Sequence, residues 1–127
     1  MIAVGVGCKS GVTADDVITL VEEGLSRVEG ETIAGLFTVA SKAHESGLAE
    51  AAASLSLPLL FLPEIALQKV ACRAETRSER VVALFGVPSI AETAALVGAG
   101  EGSTLIVPRM SRGGVTCAIA KSLGDKP

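Results

Sequence analysis

The sequence predicts a single α/β domain over residues 1–127, a compact three-layer fold with a mostly parallel central sheet and an antiparallel edge pair. Short β-rich runs alternate with longer helical patterns, the signature of parallel strands joined by crossover helices. Hydrophobic residues make up 49% of the chain and charged residues 20%, the balance of a packed core and not of a disordered segment. No internal repeat or linker divides the 127 residues, a length that one core supports.

The elements follow in order. Residues 2–6 are apolar and read as the first strand. Thr13 then caps a helix, with Asp16 in the reciprocal capping-box position and at the positive helix end. Val17, Leu20, Val21, Leu25 and Val28 recur at helical spacing and form its core face. Residues 32–40 read as the second strand. A helix is expected from Ser41 through "KAHESGLAEAAASL" or, because Gly47 weakens it by about 1 kcal/mol relative to Ala, a turn and a shorter helix. Residues 57–62 form the third strand. Pro63, which needs no N–H at a helix start, opens the short helix "PEIALQKV". Ser78 caps "ERVVALFG", which Gly86 ends, and Ser89 with Glu92 forms a capping box for "SIAETAALVGAG". Strands at 104–108 and 115–120 are joined by "RMSRGG". A parallel crossover needs about a dozen residues, so these two pair antiparallel at one edge.

Composition excludes several function classes. With three Phe and no Trp or Tyr the chain lacks stacking platforms for bases, and its net charge of −3 gives no general attraction to nucleic acid or an anionic membrane. "LSLPLLFLPEIAL" is interrupted by Pro58, Pro63 and Glu64 and falls short of the roughly 20 residues of a membrane helix. The opening "MIAVGVGCKSG" has no basic leader or signal-peptide core, so a cytoplasmic location is expected. Cys8, Cys72 and Cys117 are odd in number and widely spaced, which indicates reduced thiols and neither a disulfide framework nor a metal site. No cofactor is demanded by the residues.

The stretch "VGVGCKSGVTADD" carries the first candidate site. Gly5, Gly7 and Gly11 give G-x-G-x-x-x-G between strand and helix, one residue longer than the dinucleotide fingerprint, and "LFTVASK" lacks the acidic residue that would hold a ribose. A Walker-type G-K-[ST] is also missing. What remains is a flexible loop at a helix N-terminus with Lys9 and Ser10, suited to a carboxylate or phosphate. A tight turn in which the glycines serve only packing is the competing reading. The carboxyl end of the second strand adds Thr38, Ser41, Lys42, His44 and Glu45 to the same sheet edge, where ligands of α/β folds gather. Cys8, beside Lys9 at a helix N-terminus, is a candidate nucleophile with a favoured thiolate. His44 and Glu45 are candidate acid–base residues, although adjacency on a helix turn sets their side chains apart and does not make a dyad. Glu79 and Glu92 are explained by helix capping and the dipole.

Four ordered blocks, "GVGCKSGV", "FTVASKAHESGL", "SERVVALFGVPSIAETAAL" and "VTCAIA", resemble the CobE family and the C-terminal domain of CbiG proteins of cobalamin biosynthesis. The resemblance covers residues 2 to about 121. It implies a compact α/β domain acting in the corrin-ring pathway near ring contraction. In the longer CbiG proteins the whole chain opens a cobalt-precorrin lactone and releases acetaldehyde, and a stand-alone form resembles CobE of the oxygen-dependent branch. Matching positions are Gly5, Gly7, Cys8 and Gly11, then Thr38, Lys42 and Glu45, then Ser78, Gly86, Ser89 and Glu92. Two departures stand out. Neutral Ser10 follows Lys9 where the family often has a basic pair, and Arg109 in "VPRM" is the nearest substitute for a lysine before the last strand.

The leading reading is a protein that binds a precorrin or corrinoid, its carboxylates met by Lys9, Lys42, Arg109 and the loop N–H groups. One alternative is a hydrolase of the precorrin-5A lactone type using Cys8, His44 and Glu45. Another is a docking module for other enzymes of the pathway.

Overall fold

The computed structural model describes residues 1–124. Five strands, β1 (Ile2–Cys8), β2 (Ile33–Val39), β3 (Leu59–Leu62), β4 (Thr104–Arg112) and β5 (Val115–Lys121), form one sheet in the order β3-β2-β1-β5-β4. The helices are α1 (Ala14–Leu25), α2 (Ser46–Leu55), α3 (Glu64–Gln68), α4 (Glu79–Phe85) and α5 (Ile90–Ala99), with short 3₁₀ turns at Ala40–Lys42 and Ala71–Arg73.

The three layers are present. Val17, Leu20 and Val21 of α1 and Leu48, Ala51 and Ala52 of α2 pack with Val4, Val6 and Ile119 of the sheet on one face. On the other face lies α5, buried along Ile90–Leu96, with Ala94 against Ala3 and Phe37 and Ile90 against Val39 and Leu67. Its alanines let it approach so closely that a Cβ on Gly5 would stand 1.9 Å from the Ala91 carbonyl oxygen. Burial explains this helix's apolar composition, and no single helix among the described residues is long and apolar enough to cross a membrane.

The mostly parallel sheet needs a correction. β1 pairs parallel with β2, and β2 with β3, but β5 runs antiparallel to both β1 and β4. The edge pair is antiparallel as expected, yet β5 sits inside the sheet, so half of the pairings are antiparallel. The cause is the hairpin at Gly113 and Gly114, whose φ angles of 58° and 84° suit a tight two-residue turn. It delivers β5 to the free edge of β1, against which it pairs in register from Ile2↔Lys121 to Cys8↔Val115.

Several boundaries differ from the sequence expectation. β1 continues past Val6 to Cys8, so Gly7 joins Gly5 as a strand residue and only residues 9–13 form the loop. β4 continues past Pro108 to Arg112, with its register shifted between Val107 and Met110. Of the two options for the second helical segment, the turn followed by a shorter helix is found, with α2 starting at Ser46. Gly47 lies in its first turn, where a Cβ would come within 2.3 Å of the Val12 carbonyl oxygen.

Candidate functional site

A cleft of about 510 Å³ opens at the carboxyl ends of β1 and β4. This is where α/β sheets place ligands. Its cationic lining is Lys9, Lys42, Arg80, Arg109 and Arg112, and no carboxylate or histidine joins them. None of the five makes an ion pair within 4.0 Å among the described residues. In a chain of net charge −3 this is a local inversion of charge. The apolar part of the lining includes Val81, Leu84, Phe85 and Ile90, and Leu84 is 61% exposed. The cleft therefore pairs an apolar wall with a cationic rim.

Each wall has a sequence origin. The β1 wall ends in Gly7 and Cys8 and continues into Lys9 and Ser10. Lys9 is fixed through its backbone N–H, which donates to the Gly114 carbonyl at 2.9 Å. Lys42 projects from the turn that follows β2. Opposite stands α4, started by Ser78 accepting from the Val81 N–H at 3.4 Å and ended by Gly86 at φ 73°. Arg80 and Leu84 lie one helical turn apart on it. Ser89 accepts from the Glu92 N–H at 3.1 Å and starts α5.

The expected site residues separate into two groups. Gly7, Cys8, Lys9, Ser10, Lys42 and Arg109 line the cleft. Gly5, Gly11, Thr38, His44 and Glu45 do not. Gly5 is packed beneath α5 and leaves no room for anything else. Thr38 is fully buried, and its Oγ1 has no hydrogen-bond partner among the described protein groups. Gly11, at φ 80° with open space where a Cβ would be, donates its N–H at 3.0 Å to Glu45 Oε1. The protein's own carboxylate thus occupies the loop donor expected to meet a ligand.

Glu45 and His44 also depart from expectation. Glu45 precedes α2 with extended backbone (φ −81°, ψ 103°), so helical spacing does not govern the pair. His44 Nε2 lies 3.1 Å from Glu45 Oε2, with the histidine side chain 70% exposed and the glutamate's 6%. The Gly11 N–H holds the Glu45 carboxyl below its ordinary value, helped by the charges of His44 and Lys42 and by the Ser10 side chain, while burial opposes the shift. Glu45 braces the loop from behind through the Gly11 N–H, and its contact with His44 is an ion pair only when the imidazole is protonated.

Burial, in contrast, pushes the half-buried Cys8 thiol up, only partly offset by Lys42 and reinforced by Glu45. A favoured thiolate is not what this environment provides. Cys117 is buried as well, its pKa pushed up to about 12 by burial, while Cys72 is exposed. No group of three or more His, Cys, Asp and Glu among the described residues is placed to hold a metal ion.

Sequence reasoning missed Arg80 and Arg112. Arg80 lies within the block "SERVVALFGVPSIAETAAL" but was not singled out, Arg112 lies in the connection "RMSRGG", and α4 and the hairpin bring them to the cleft. It also undervalued Glu92. The carboxylate is fully buried and does not complete a reciprocal capping box. Its Oε1 accepts from the N–H groups of Glu75 and Thr76, and its Oε2 from that of Arg109, all at 2.9 Å.

The family model described as "Cobalamin synthesis G C-terminus" matches residues 2–120. The chain belongs to this family. It is thereby a cobalamin biosynthesis protein. It is 35% identical over 122 residues to Protein CobE from Sinorhizobium sp, an alignment covering 94% of this chain and 79% of that one. It is 25% identical to the cobalt-precorrin-5A hydrolase of Priestia megaterium over 94% of its own length but only 32% of the hydrolase. The chain therefore spans about a third of that enzyme. Among solved structures, CobE from the cobalamin (vitamin B12) biosynthetic pathway superposes with a TM-score of 0.89 at 28% identity, covering 99% of this chain and 93% of that one. The cobalamin biosynthesis protein chiG from Agrobacterium tumefaciens str. C58 does so with a TM-score of 0.76 at 36% identity, covering 98% and 100%. The family's fold is the one described above.

Proposed function

We propose that the cleft binds a precorrin or related corrinoid intermediate near ring contraction, in the oxygen-dependent branch that the likeness to CobE implies. The observation that carries this reading is the meeting of five cations, with no carboxylate in the lining itself, around an apolar wall. A precorrin is a largely apolar macrocycle with acetate and propionate groups at its periphery, so its body matches the wall and its edge matches the rim. Arginine recognises a carboxylate through two parallel hydrogen bonds and lysine as a point charge, and both kinds are present.

Binding is favoured over hydrolysis by the site's own chemistry. Acid–base catalysis needs a proton-transferring group within reach of the bound substrate. His44 and Glu45 are absent from the cleft lining, and the Cys8 thiol is shifted away from the thiolate form. The hydrolase similarity covers a minority of that enzyme.

The test is a titration monitored by visible absorbance, followed by mass spectrometry of the tetrapyrrole after incubation with a precorrin. Wild type is expected to shift the spectrum and leave the mass unchanged. Losing one charge-assisted contact in Lys9→Ala or Arg109→Ala should raise Kd by about tenfold. Equal affinities in wild type and both variants would sink the assignment of the cleft, and a changed mass would replace binding with catalysis.

A further inference from the structure

We propose that Glu92 is a positioning residue for the arginine side of the cleft, aiming Arg109 through the backbone of β4. This rests on the reading of the cleft as a polycarboxylate site. Glu92 lies on α5, two residues beyond Ile90 of the cleft lining. Its carboxylate joins that helix to two other segments. One is residues 75–76, which lead into Ser78 and the α4 wall with Arg80. The other is Arg109 of β4. A single buried side chain thus gathers three pieces of the cleft that are remote in sequence.

The β4 backbone explains why an acceptor is needed at this point. Pro108 has no N–H, and the β4–β5 register shifts between Val107 and Met110. Such irregularities turn a side chain in a new direction and leave backbone groups without ladder partners. At Arg109 the freed N–H is accepted by Glu92 Oε2 at 2.9 Å. Arg109 consequently reaches the cleft from a strand position whose direction is held by Glu92 and not by the sheet alone.

Glutamine in this place separates the arms. Its single oxygen can accept from Glu75 and Thr76 as Oε1 does now, but its amide nitrogen would then face the Arg109 N–H, donor against donor. The protein retains one arm and releases the other. A purely structural role for Glu92 would lower stability and weaken binding independently of Arg109. A positioning role acts through Arg109 and disappears when its side chain is removed.

The experiment is a double-mutant cycle read by the Kd of uroporphyrin III, a tetrapyrrole with an acetate and a propionate on every ring. Wild type, Glu92→Gln, Arg109→Ala and the double variant are compared at one ionic strength, with folding checked by circular dichroism. Each single substitution is expected to weaken binding by about three- to tenfold, and the double variant to bind no more weakly than Arg109→Ala alone. Wild-type affinity in Glu92→Gln, or single effects that multiply in the double variant, would overturn the positioning role while leaving the binding site intact. A wild type that does not bind the probe overturns the binding reading and the positioning role with it. If Glu92→Gln does not fold, Glu92→Asp takes its place in the cycle, since it keeps the charge and withdraws both oxygens by one methylene.

Discussion

The two sides of the cleft are each backed by a buried glutamate, and the two glutamates are held differently. Glu45 stands behind the loop that carries Lys9 and Ser10. It accepts one backbone N–H, from Gly11, and meets the exposed imidazole of His44 on its other oxygen. Glu92 stands behind Arg80 and Arg109. It is fully enclosed, and its carboxylate is used by three backbone N–H groups. The first arrangement ties a loop through one backbone bond, next to an exposed imidazole. The second ties a helix, a connecting segment and a strand through the backbone. The same residue type thus backs one rim through a single backbone bond and the other through three.

The largest test of this contrast is stability. Removing Glu92 leaves three backbone donors without acceptors, each costing about 1–3 kcal/mol where water cannot replace the bond. Glu92→Ala should therefore lose about 3 kcal/mol or more in urea unfolding. Glu45→Ala frees a single donor beside solvent, where water can take over the bond, and should lose clearly less. Equal losses would break the comparison.

A second test sharpens it through pH. The folded Glu45 pKa is lowered from the ordinary value of 4.5, so its contribution is fully present above that value and is lost as pH falls through the lower folded pKa. Glu31, lowered by its bond to Lys121, and Glu79, lowered by Arg77, have the same sign. Unfolding free energy should fall with acidification in wild type and fall less steeply in Glu45→Gln. An unchanged slope would remove Glu45 from the acid response.

The smallest expected effect concerns Gly11. It has φ 80°, and a methyl group added to its Cα would meet nothing within 4 Å, so Gly11→Ala meets only the left-handed backbone penalty of about 1–2 kcal/mol. The variant should fold and show that modest loss by denaturant titration. A collapse of the fold would mean that the loop is held more tightly than its single bond to Glu45 implies.

Much of the architecture was legible because its signals are local. The caps at Thr13, Ser78 and Ser89 accept from the N–H three residues on, and the hairpin follows from the length of "RMSRGG". The extension of β1 past Val6 through Gly7 to Cys8 was hidden because glycine reads as loop wherever its partner is unknown. Here the partners are α5 and, beside Gly7, Thr116 and Ile90. Six expected site residues reached the cleft together. Thr38 failed because strand position alone does not say which face a side chain joins. His44 and Glu45 lie outside the cleft lining, and their side chains meet where helical spacing would set them apart, because the helix begins only at Ser46.

By itself the sequence determined the order of elements, the capped helix starts at Thr13, Ser78 and Ser89 and, through four ordered blocks, the family. Periodicity and capping act over a few residues, so they are written along the chain. The tertiary structure alone decided that β5 lies against β1, that Arg80 and Arg112 join Lys9, Lys42 and Arg109, and that Glu45 and Glu92 are buried behind them. The Gly11–Glu45 bond spans 34 positions and the Glu92–Arg109 bond 17. Such partners are chosen by packing across the sheet, which no local pattern records.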